Sequence, residues 1–488
     1  MESGSRAAAV QRKSESDCIM ADSEVSNFGN NVRFRPASYV SPKDEAELLK
    51  VLQSNCAGRI RVMGSKHAWS HGIETDGILL EMRHFTEVQI HERNGQPFVT
   101  VGAGCQIKTL LAGLNEQGLT TPSIGLITEQ TIAGATATGT HGSGKHSLSH
   151  YVHSLRIACF DAIGETAQMV DVTEGDDLKA ARCSLGCMGV VVEITLPCIP
   201  QYFVEEKITQ TSTIEEVLAL ESESPLQQFF LLPHAWTFFA QQRKVARNPC
   251  RSGGAAFYRI YWFLSLDLGL HLLILLCGVW LRSRWLVHFL FRTIVPWSIF
   301  PRWVTSDRSD RQLVMEHELF RHLEEEIFVR RSIVIDASHF VTDILKLADN
   351  SRHVLSSSTR SQLQSIDALQ DAQALGGCFT HHYPICFRRI LPDDTLISMA
   401  SGSGEDWYSI SLVTYVEPRD DFFRVARFLA ETMIPLFNAR LHWGKWCPVT
   451  ADQIEQQYPN FPRFRTICRR FDPNGVFRNT FVQDTLDI

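Results

Sequence analysis

The sequence of 488 residues lacks the cysteine patterns of a disulfide framework or a zinc site: its 13 cysteines are scattered, with no Cys-x-x-Cys pair and no Cys/His spacing. An odd number of irregularly spaced cysteines is typical of reduced thiols, and no metal site is expected. Gly-x-Gly-x-x-Gly and Gly-Lys-Ser/Thr motifs are also absent, which excludes a Rossmann dinucleotide site and a Walker loop. The net charge of −7 gives no reason to expect a nucleic-acid partner.

The N-terminus also lacks the apolar run of a secretory signal, so no cleavable signal peptide is expected. Residues 1–26 mix Arg, Lys, Ser, Glu and Asp, which predicts a disordered tail. The rest of the chain has an ordinary globular composition, with 44% hydrophobic and 21% charged residues overall. Its length is sufficient for two domains and a large core.

A Gly-Ser-Lys-His motif at residues 64–67 follows a short apolar run formed by Ile60, Val62 and Met63. A strand that ends in a glycine turn exposes backbone N–H groups, which bind anions such as phosphate. His67 lies where its side chain would touch the molecule that carries the anion. A histidine after a glycine turn is more often a surface or capping residue, so this motif alone does not identify a site.

A second stretch, residues 125–144, consists almost entirely of Gly, Ala, Ser and Thr from Thr131 onwards. Small residues allow the backbone to approach a ligand closely, and their hydroxyl and N–H groups supply hydrogen-bond donors. A flexible linker would have a similar composition. Against a linker, four apolar residues would bury one side of the stretch: Ile124, Leu126, Ile127 and Ile132.

Together the two stretches resemble the flavin-binding half of the vanillyl-alcohol-oxidase superfamily and, within it, the aldonolactone oxidases. The resemblance extends from about Asn27 to the C-terminus. It implies an α+β fold with a two-part FAD-binding domain of the PCMH type and a cap domain in which helices flank an antiparallel sheet. The implied bounds are residues 27–201 for the FAD-binding domain, 202–435 for the cap domain and 436–488 for a segment that returns to the FAD-binding domain.

The same resemblance assigns the residues that bind FAD. The first stretch would hold the pyrophosphate, the second would line the pyrophosphate and the isoalloxazine ring, and the backbone near Val191 would contact the adenosine. His67 matches the histidine that is often bonded covalently to the flavin 8α-methyl group, although Ala68 replaces the usual serine after it. The implied residues are Gly64, Ser65, Lys66, His67, Ala68, Trp69, Gly125, Thr131, Gly134, Thr138, His141, Gly142, Val191 and Lys445.

Gly125 occupies the family position at which Gly distinguishes oxidases and Ala distinguishes dehydrogenases. The resemblance therefore implies that O2 has access to the flavin and that hydrogen peroxide is a product.

Two C-terminal segments supply cations, which flavin-dependent alcohol oxidation needs because negative charge develops on the substrate oxygen and near flavin N1. By resemblance, Arg388 matches the Arg of a family Glu-x-Arg motif and Lys445 matches the Lys of a His-Trp-x-Lys motif. The family's Glu is Cys386 here, a weak hydrogen-bonding group with little charge at neutral pH. This exchange implies either a less polar substrate or impaired turnover.

Several secondary-structure elements are predicted by local pattern. A helix at residues 41–52 would start with Ser41 as its cap and Pro42 at its first position. Glu324, Glu325 and Glu326 lie where the family has an acidic strand, but they fit a solvated helix face equally well, and no chemistry is assigned to them. A further predicted helix has Ile107, Leu110, Leu111 and Leu114 on one face and ends at Gly118, and another covers residues 177–185. A hairpin turn is predicted at Asn94-Gly95. Strands are predicted at residues 78–80, 86–90, 98–101, 155–160 and 167–172.

Residues 257–303 form the most apolar region, and residues 260–281 within it have Asp267 and His271 as their main polar interruptions. A helix of that length would reach ~33 Å, about the thickness of a bilayer core. Interfacial or half-inserted helices, a helical hairpin that returns to one side of a membrane, and a buried soluble core all fit the pattern. Resemblance to membrane-associated animal enzymes with an apolar insert at this place favours the first two, and an intracellular membrane such as the endoplasmic reticulum.

Three functions fit these observations. The first is a membrane-associated FAD oxidase of a sugar-acid lactone or a related polyol, with O2 as the acceptor. The second, suggested by Cys386, is an oxidase of a less polar alcohol. The third is a flavin-binding protein without turnover that acts as an interaction module at a membrane. Peroxide production with a panel of substrates distinguishes the first two, and anaerobic bleaching of the flavin by any substrate excludes the third.

Overall fold

The computed structural model describes residues 18–19, 24–301, 303–315, 319–415 and 419–488. Most of the tail predicted at residues 1–26 lies outside the described residues. Its described parts form short strands: Cys18–Ile19 pairs with Ser38–Val40, and Val25–Ser26 pairs with Arg33–Phe34.

Two sheets form the N-terminal part of the molecule. In the smaller sheet, Ser38–Val40 and Ile60–Met63 both run parallel to the strand between them, Ile78–Glu81. The predicted hairpin is confirmed, since Asn94 (φ 53°) and Gly95 (φ 77°) both adopt the left-handed conformation that a tight hairpin turn requires. The larger sheet is antiparallel, with the strand order Ala167–Val172, Ser154–Phe160, Val190–Pro197, Gln96–Gly102 and Val88–Arg93.

The helices of this part mostly follow the predicted pattern. Helix Ile107–Glu116 buries its four predicted apolar residues, and Gly118 follows it with φ 68°. The prediction of Ser41 as a cap is wrong, because the helix is Glu45–Gln53 and the Asp44 carboxylate accepts a hydrogen bond from the backbone N–H of Glu47. The remaining helices before residue 250 are Ile132–Ala137, Gly175–Ala181 and Ile214–Ala219.

An antiparallel sheet of eight strands, here called the cap sheet, forms the second layer of the fold. Helices Val334–Asp349 and Asp420–Phe437 pack against its strand His322–Arg330. The adjacent strand Trp407–Tyr415 is buried over its whole length, so the sheet is covered on both faces. In order, the strands are Thr305–Arg308, Phe203–Thr211, Thr237–Val245, Gln228–Leu232, Ile385–Ile390, Trp407–Tyr415, His322–Arg330 and Arg440–Leu441.

The apolar region forms a helical hairpin, here called the insert hairpin (residues 255–298). Its first helix is Ala255–Trp280, in which α-helical and wider π-helical turns alternate. After a turn at Arg282 (φ 46°), the second arm comprises Arg284–Phe289, Leu290–Ile294 and Val295–Ser298. Within the described part of the chain, Ala255–Trp280 is the one helix that is long and apolar enough to cross a membrane.

The two faces of the insert hairpin differ in burial. The inner face packs against the cap sheet through Ile274, Leu290 and Phe291, which are buried. The outer face exposes large apolar side chains, and Trp280, Trp285 and Trp297 are 75%, 69% and 82% exposed. Of the alternatives given above, a buried soluble core therefore explains only the inner face of the hairpin.

The C-terminal segment contacts both layers. Arg440–Leu441 is the edge strand of the cap sheet. Further on, the backbone N–H of Ile60 donates to the carbonyl oxygen of Val476 (2.8 Å), and the Arg61 guanidinium donates to that of Phe477 (2.5 Å). These bonds return the chain to the two N-terminal sheets, whereas the residue bounds given above for the domains stay a prediction. The other helices are Ser309–Gln312, Ser357–Ser365, Leu369–Ala374, Ala451–Gln457, Phe461–Phe471 and Thr480–Leu486.

Candidate active site

A cavity of about 860 Å³ lies between the two N-terminal sheets, the cap sheet and the insert hairpin. The two loops singled out by the sequence line its first side; we call residues 64–70 the first loop and residues 125–144 the glycine loop. The predicted residues that line the cavity are Gly64, Ser65, Lys66, His67, Ala68, Trp69, Thr131, Gly134, Thr138, His141, Val191, Arg388 and Lys445.

Gly125 and Gly142 lie behind this wall. A Cβ atom on Gly125 would be 2.9 Å from Cγ2 of Thr140, and one on Gly142 would be 2.4 Å from the carbonyl oxygen of Ile124. Both glycines therefore allow close packing within the glycine loop. Because Thr140 lines the cavity, a methyl group at Gly125 would reach the cavity by displacing Thr140.

The two loops touch at Gly64. A Cβ atom on Gly64 would lie 2.1 Å from Oγ1 of Thr131, so no other residue fits here without moving the glycine loop. The same Thr131 hydroxyl oxygen caps helix Ile132–Ala137 by accepting a hydrogen bond from the Gly134 N–H (3.4 Å). Close backbone approach and exposed N–H groups form the cradle that a pyrophosphate needs.

His67 and Trp69 connect the first loop to its surroundings. The His67 ring stacks on Phe28 with the ring centroids 5.0 Å apart. The backbone N–H of Trp69 donates to the carbonyl oxygen of Gly444 (2.9 Å), and its indole N–H donates to that of His322 (2.7 Å). Trp69 thus joins the first loop to the cap sheet and to the segment that carries Lys445.

Lys445 is held between an aromatic ring and a carboxylate. Its ammonium lies 4.4 Å from the centroid of the Trp69 ring and forms an ion pair with Glu324. Both charged groups line the cavity and are largely buried, so the attraction between them is strong. Glu324 therefore fixes the position of the predicted catalytic cation.

Arg388 is held by amides and not by the glutamate of the family motif. Its Nε donates to Oε1 of Gln228 (3.3 Å), and the Gln228 amide donates to Oε1 of Gln241 (2.5 Å). Burial raises the pKa of the Cys386 thiol to about 11, so Cys386 is neutral at physiological pH. Burial opposes the charge on Arg388, but the Cys386 thiolate, which forms only above its own pKa, and the carboxylates of Glu326 and Glu324 raise the pKa of the guanidinium.

A second buried carboxylate, Glu326, lies between two histidines. Its Oε1 is 3.3 Å from Nε2 of His141, and its Oε2 is 3.9 Å from Nε2 of His442. Burial alone would raise the pKa of Glu326, but His141, His442 and Lys445 hold it well below its usual value. The carboxylate is therefore ionised next to Arg388 and Lys445.

The protonation of the two histidines follows from their partners. Nδ1 of His141 is 2.9 Å from the carbonyl oxygen of Gly142, which can only accept, so Nδ1 carries a ring proton and Nε2 faces Glu326. His442 accepts a hydrogen bond from the Gly444 N–H at Nδ1 (2.9 Å), and burial lowers its pKa well below the usual value. Two imidazole rings and one carboxylate thus lie together at the polar end of the cavity.

From this polar end, the cavity extends into a region that we call the apolar arm. The insert hairpin contributes side chains one helical turn apart on its inner face, and the cap sheet contributes the opposite wall. Asp267 and His271 also face the arm, and His271 lies 2.7 Å from the Tyr415 hydroxyl of the cap sheet. The apolar lining residues are Ile208, Phe230, Leu232, Phe239, Trp262, Leu266, Leu270, Val295 and Ile299.

Comparison with known proteins identifies the family. An FAD binding domain model matches residues 36–167, and a D-arabinono-1,4-lactone oxidase model matches residues 353–485. The chain is 44% identical to a long-chain alcohol oxidase from an uncultured marine euryarchaeote, over 94% of this chain and 96% of that protein. The chain belongs to the aldonolactone oxidase family of FAD-dependent oxidoreductases.

Two further comparisons agree with this family and with the fold. Identity to the L-gulonolactone oxidase of Mus musculus is 26%, over 94% of this chain and 97% of that protein. The crystal structure of cholesterol oxidase from B. sterolicum superimposes with a TM-score of 0.74 at 14% identity and covers 99% of this chain and 100% of that one. The predicted α+β fold, the cofactor FAD and oxidation at a CH–OH group are therefore confirmed.

The residues that line the loop side of the cavity fit FAD. The close contact of Gly64 with Thr131 leaves bare backbone on the cavity side, as the pyrophosphate requires. Gly189 (φ 122°) also lines the cavity next to Val191, and a Cβ atom there would be 2.4 Å from the carbonyl oxygen of Ala158. These glycines thus allow the backbone that lines the cavity to pack closely against its protein neighbours.

Sequence reasoning missed the acidic side of the site. The strand His322–Arg330 is buried on both faces, so Glu324 and Glu326 point into the cavity while Glu325 points towards the covering helices. The run of β-branched and aromatic residues directly after the glutamates, Ile327, Phe328 and Val329, was the signal that could have identified this strand. Gln228, the partner of Arg388, lies 160 residues before it and carries no local signal.

Proposed function

We propose that this protein oxidises the hydroxyl group of a long-chain alcohol and passes the electrons to O2, with hydrogen peroxide as the second product. The apolar arm is the observation that carries the proposal. It leads directly from the cations Arg388 and Lys445, and its walls are apolar side chains of the insert hairpin and the cap sheet. An alkyl chain gains ~0.8 kcal/mol for each methylene buried on such walls, whereas the hydroxyl groups of a sugar lactone gain nothing there.

The chemistry is removal of a hydride from the carbinol carbon, for which bound FAD supplies a two-electron acceptor. As the hydride leaves, negative charge on the substrate oxygen needs stabilisation. Lys445, fixed by Trp69 and Glu324, and Arg388, fixed by Gln228, supply positive charge at the polar end of the cavity. Because both cations are fixed before reaction, no reorganisation opposes the transition state.

The hydroxyl proton also needs an acceptor. Glu324 and Glu326 are the carboxylates that line the polar end of the cavity. Glu326 lies between His141 and His442, so the proton released by the substrate can be accommodated among these three side chains. We propose that Glu324 and Glu326 together hold it until the aldehyde or ketone leaves.

A second candidate function is oxidation of an aldonolactone. It is favoured by the matched D-arabinono-1,4-lactone oxidase model and by a polar row on the cap sheet, Gln228, Gln241 and Arg243, which lines the cavity and could bond sugar hydroxyl groups. That row is, however, already bonded internally, since Gln241 and Arg243 both donate to Glu206 (3.4 and 2.5 Å). The long-chain alcohol is therefore the better-supported substrate.

A panel of substrates tests the choice. Wild-type protein is assayed for peroxide with butanol, octanol, dodecanol, L-gulono-1,4-lactone and a hexitol, and we expect the rate constant kcat/KM to be highest for dodecanol. In Cys386→Glu, a carboxylate next to Arg388 should lower activity on dodecanol. Higher activity of Cys386→Glu on lactones, with wild type already favouring them, would support the second candidate and contradict the first.

The outer face of the insert hairpin supports a membrane location. Trp280, Trp285 and Trp297 are exposed on it, while Asp267 and His271 face the apolar arm and not the outside. Interfacial tryptophans anchor helices at the level of the lipid head groups. We propose that this face lies on an intracellular membrane, such as the endoplasmic reticulum, and that a long-chain alcohol partitions from that membrane into the arm.

Substitution on the outer face tests this location without altering the cavity. The triple variant Trp280→Ser, Trp285→Ser, Trp297→Ser should move from the membrane pellet to the supernatant with FAD still bound. Ile163→Ser, at an apolar residue that is 69% exposed but lies outside the insert hairpin, is the matched control and should remain in the pellet. A triple variant that sediments like wild type would show that this face is not the anchor.

A further inference from the structure

Outside the active site, three side chains meet where the insert hairpin contacts the cap sheet. His234 lies in the turn between Gln228–Leu232 and Thr237–Val245, His288 lies on the second arm of the hairpin, and Asp349 ends helix Val334–Asp349. Nε2 of His288 is 2.9 Å from Oδ2 of Asp349, and Nδ1 of His234 is 3.9 Å from the same oxygen. One possible donor atom of each residue lies within 4.8 Å of the other two.

The hydrogen bonds of His234 fix its tautomer. Nε2 is 2.8 Å from the carbonyl oxygen of His381, which can only accept, so Nε2 carries the ring proton. In the neutral ring this tautomer directs the lone pair of Nδ1 at the carboxylate of Asp349, 3.9 Å away, which is the orientation that a shared metal ion needs.

The groups around the cluster are those expected behind metal ligands. A histidine ligand usually donates its other ring N–H to a carbonyl, as His234 does, and a ligating carboxylate is usually hydrogen-bonded in turn. The Thr380 hydroxyl donates to Oδ1 of Asp349 (2.8 Å), while Nε2 of His288 lies near both carboxylate oxygens, 3.1 Å from Oδ1 and 2.9 Å from Oδ2. The side chains of His234 and Asp349 are 3% and 11% exposed and that of His288 is 27% exposed, so solvent has access from one side.

We propose that His234, His288 and Asp349 bind a divalent transition-metal ion, for which Zn²⁺ is the best fit, and that this ion fastens the insert hairpin to the cap sheet. Two imidazole nitrogens and one carboxylate oxygen are ligands that Zn²⁺ accepts in tetrahedral geometry, with water from the exposed side as the fourth ligand. Ca²⁺ and Mg²⁺ are disfavoured because they require oxygen ligands. The ion would hold in place the hairpin that forms the wall of the apolar arm.

The chain offers a matched control. His353 and Asp343 form a contact of 2.6 Å between Nε2 and Oδ1 on the same helix as Asp349, and their side chains are 25% and 11% exposed. This pair resembles the contact between His288 and Asp349 in distance and exposure, but no second imidazole is placed beside it in the described part of the chain. His353→Ala should therefore remove an ordinary His–Asp contact without affecting metal binding.

The first test is metal binding by the full-length protein with FAD bound. The protein is stripped with a chelator and titrated with Zn²⁺ against a chromophoric competitor. We expect about one tight site per chain in wild type and in His353→Ala, and at least ~10-fold weaker binding in His288→Ala and in Asp349→Asn. Absence of a tight site in wild type, or equal weakening in His353→Ala, would overturn the proposal.

A second test uses wild-type protein alone and remains informative if a variant fails to fold. Arg282 and Arg284 lie exposed at the turn of the insert hairpin, and Arg284 donates to the carbonyl oxygen of Asp349 (2.9 Å), so cleavage after Arg284 requires the junction to open locally. At ~100 times its dissociation constant, Zn²⁺ should slow cleavage there by up to about 100-fold, and Mg²⁺ should not. Cleavage that Zn²⁺ leaves unchanged would contradict the proposal. Neither readout depends on turnover, so failure of the proposed function would not affect them.

Discussion

The sharpest prediction concerns Leu266, which lines the apolar arm from the first helix of the insert hairpin. Replacing it with Trp should shorten the arm without touching the polar end, because Arg388 and Lys445 belong to other elements. In wild type, kcat/KM should rise along a series of primary alcohols until the arm is full. In Leu266→Trp, the rise should stop earlier.

The expected magnitude follows from the burial of methylene groups. Each methylene that enters the arm contributes ~0.8 kcal/mol, or about a fourfold increase in kcat/KM. The larger Trp side chain takes the space of about two methylenes, so dodecanol should lose ~1.6 kcal/mol, or about 15-fold in kcat/KM. Butanol does not reach Leu266 in this account, and its kcat/KM should be unchanged.

The assay is peroxide production with butanol, hexanol, octanol, decanol and dodecanol for wild type and the variant. Leu264→Trp is the matched control, since Leu264 is two residues away on the same helix and 55% exposed on the outer face. Equal losses for butanol and dodecanol in Leu266→Trp, or the same chain-length dependence in Leu264→Trp, would refute the assignment of the arm as the chain-binding site.

Three further predictions concern the flavin and the cations. Lys445→Met and Arg388→Met should each slow anaerobic flavin reduction by about 30- to 1,000-fold with FAD still bound, because one charge-assisted contact in the transition state is worth ~2–4 kcal/mol. Unchanged rates in both variants would refute this active site. Acid-precipitated wild-type protein should stay yellow and His67→Ala should release its FAD, whereas a colourless wild-type pellet would exclude a covalent bond. Gly125→Ala should slow reoxidation by O2 more than reduction by substrate, because the added methyl group displaces Thr140 into the cavity; equal slowing of both steps would remove the gatekeeper role.

Much of the fold could be predicted because its signals are local. The Asn94-Gly95 turn needs two left-handed residues, and the spacing of Ile107, Leu110 and Leu114 buries one helical face. The error at Ser41 was also local: two good capping residues lie three positions apart, and only the structure shows that Asp44 bonds the helix N-terminus. Near helix termini, sequence patterns leave such choices open.

The site was less predictable, because its groups are brought together by tertiary packing. His67, Arg388 and Lys445 stand in short motifs, were predicted as site residues, and line the cavity. Glu324 and Glu326 fit a solvated helix face equally well in the sequence, whereas the structure places them on a strand that is buried on both faces. The contribution of residues 257–303 to the cavity wall could not be predicted either. Their length and hydropathy indicate a membrane helix, but no pattern shows that one face of it lines the cavity.

Anaerobic reduction of the flavin, followed in a stopped-flow spectrometer, tests the central claim most directly because it isolates the step in which the substrate is oxidised. Wild-type protein is mixed with dodecanol or with L-gulono-1,4-lactone at equal concentrations. Burial of the alkyl chain in the apolar arm predicts that dodecanol bleaches the flavin at least ~10-fold faster than the lactone does. Faster bleaching by the lactone would contradict the account in favour of an aldonolactone substrate, and a flavin that neither compound reduces would contradict the proposed oxidation of a long-chain alcohol.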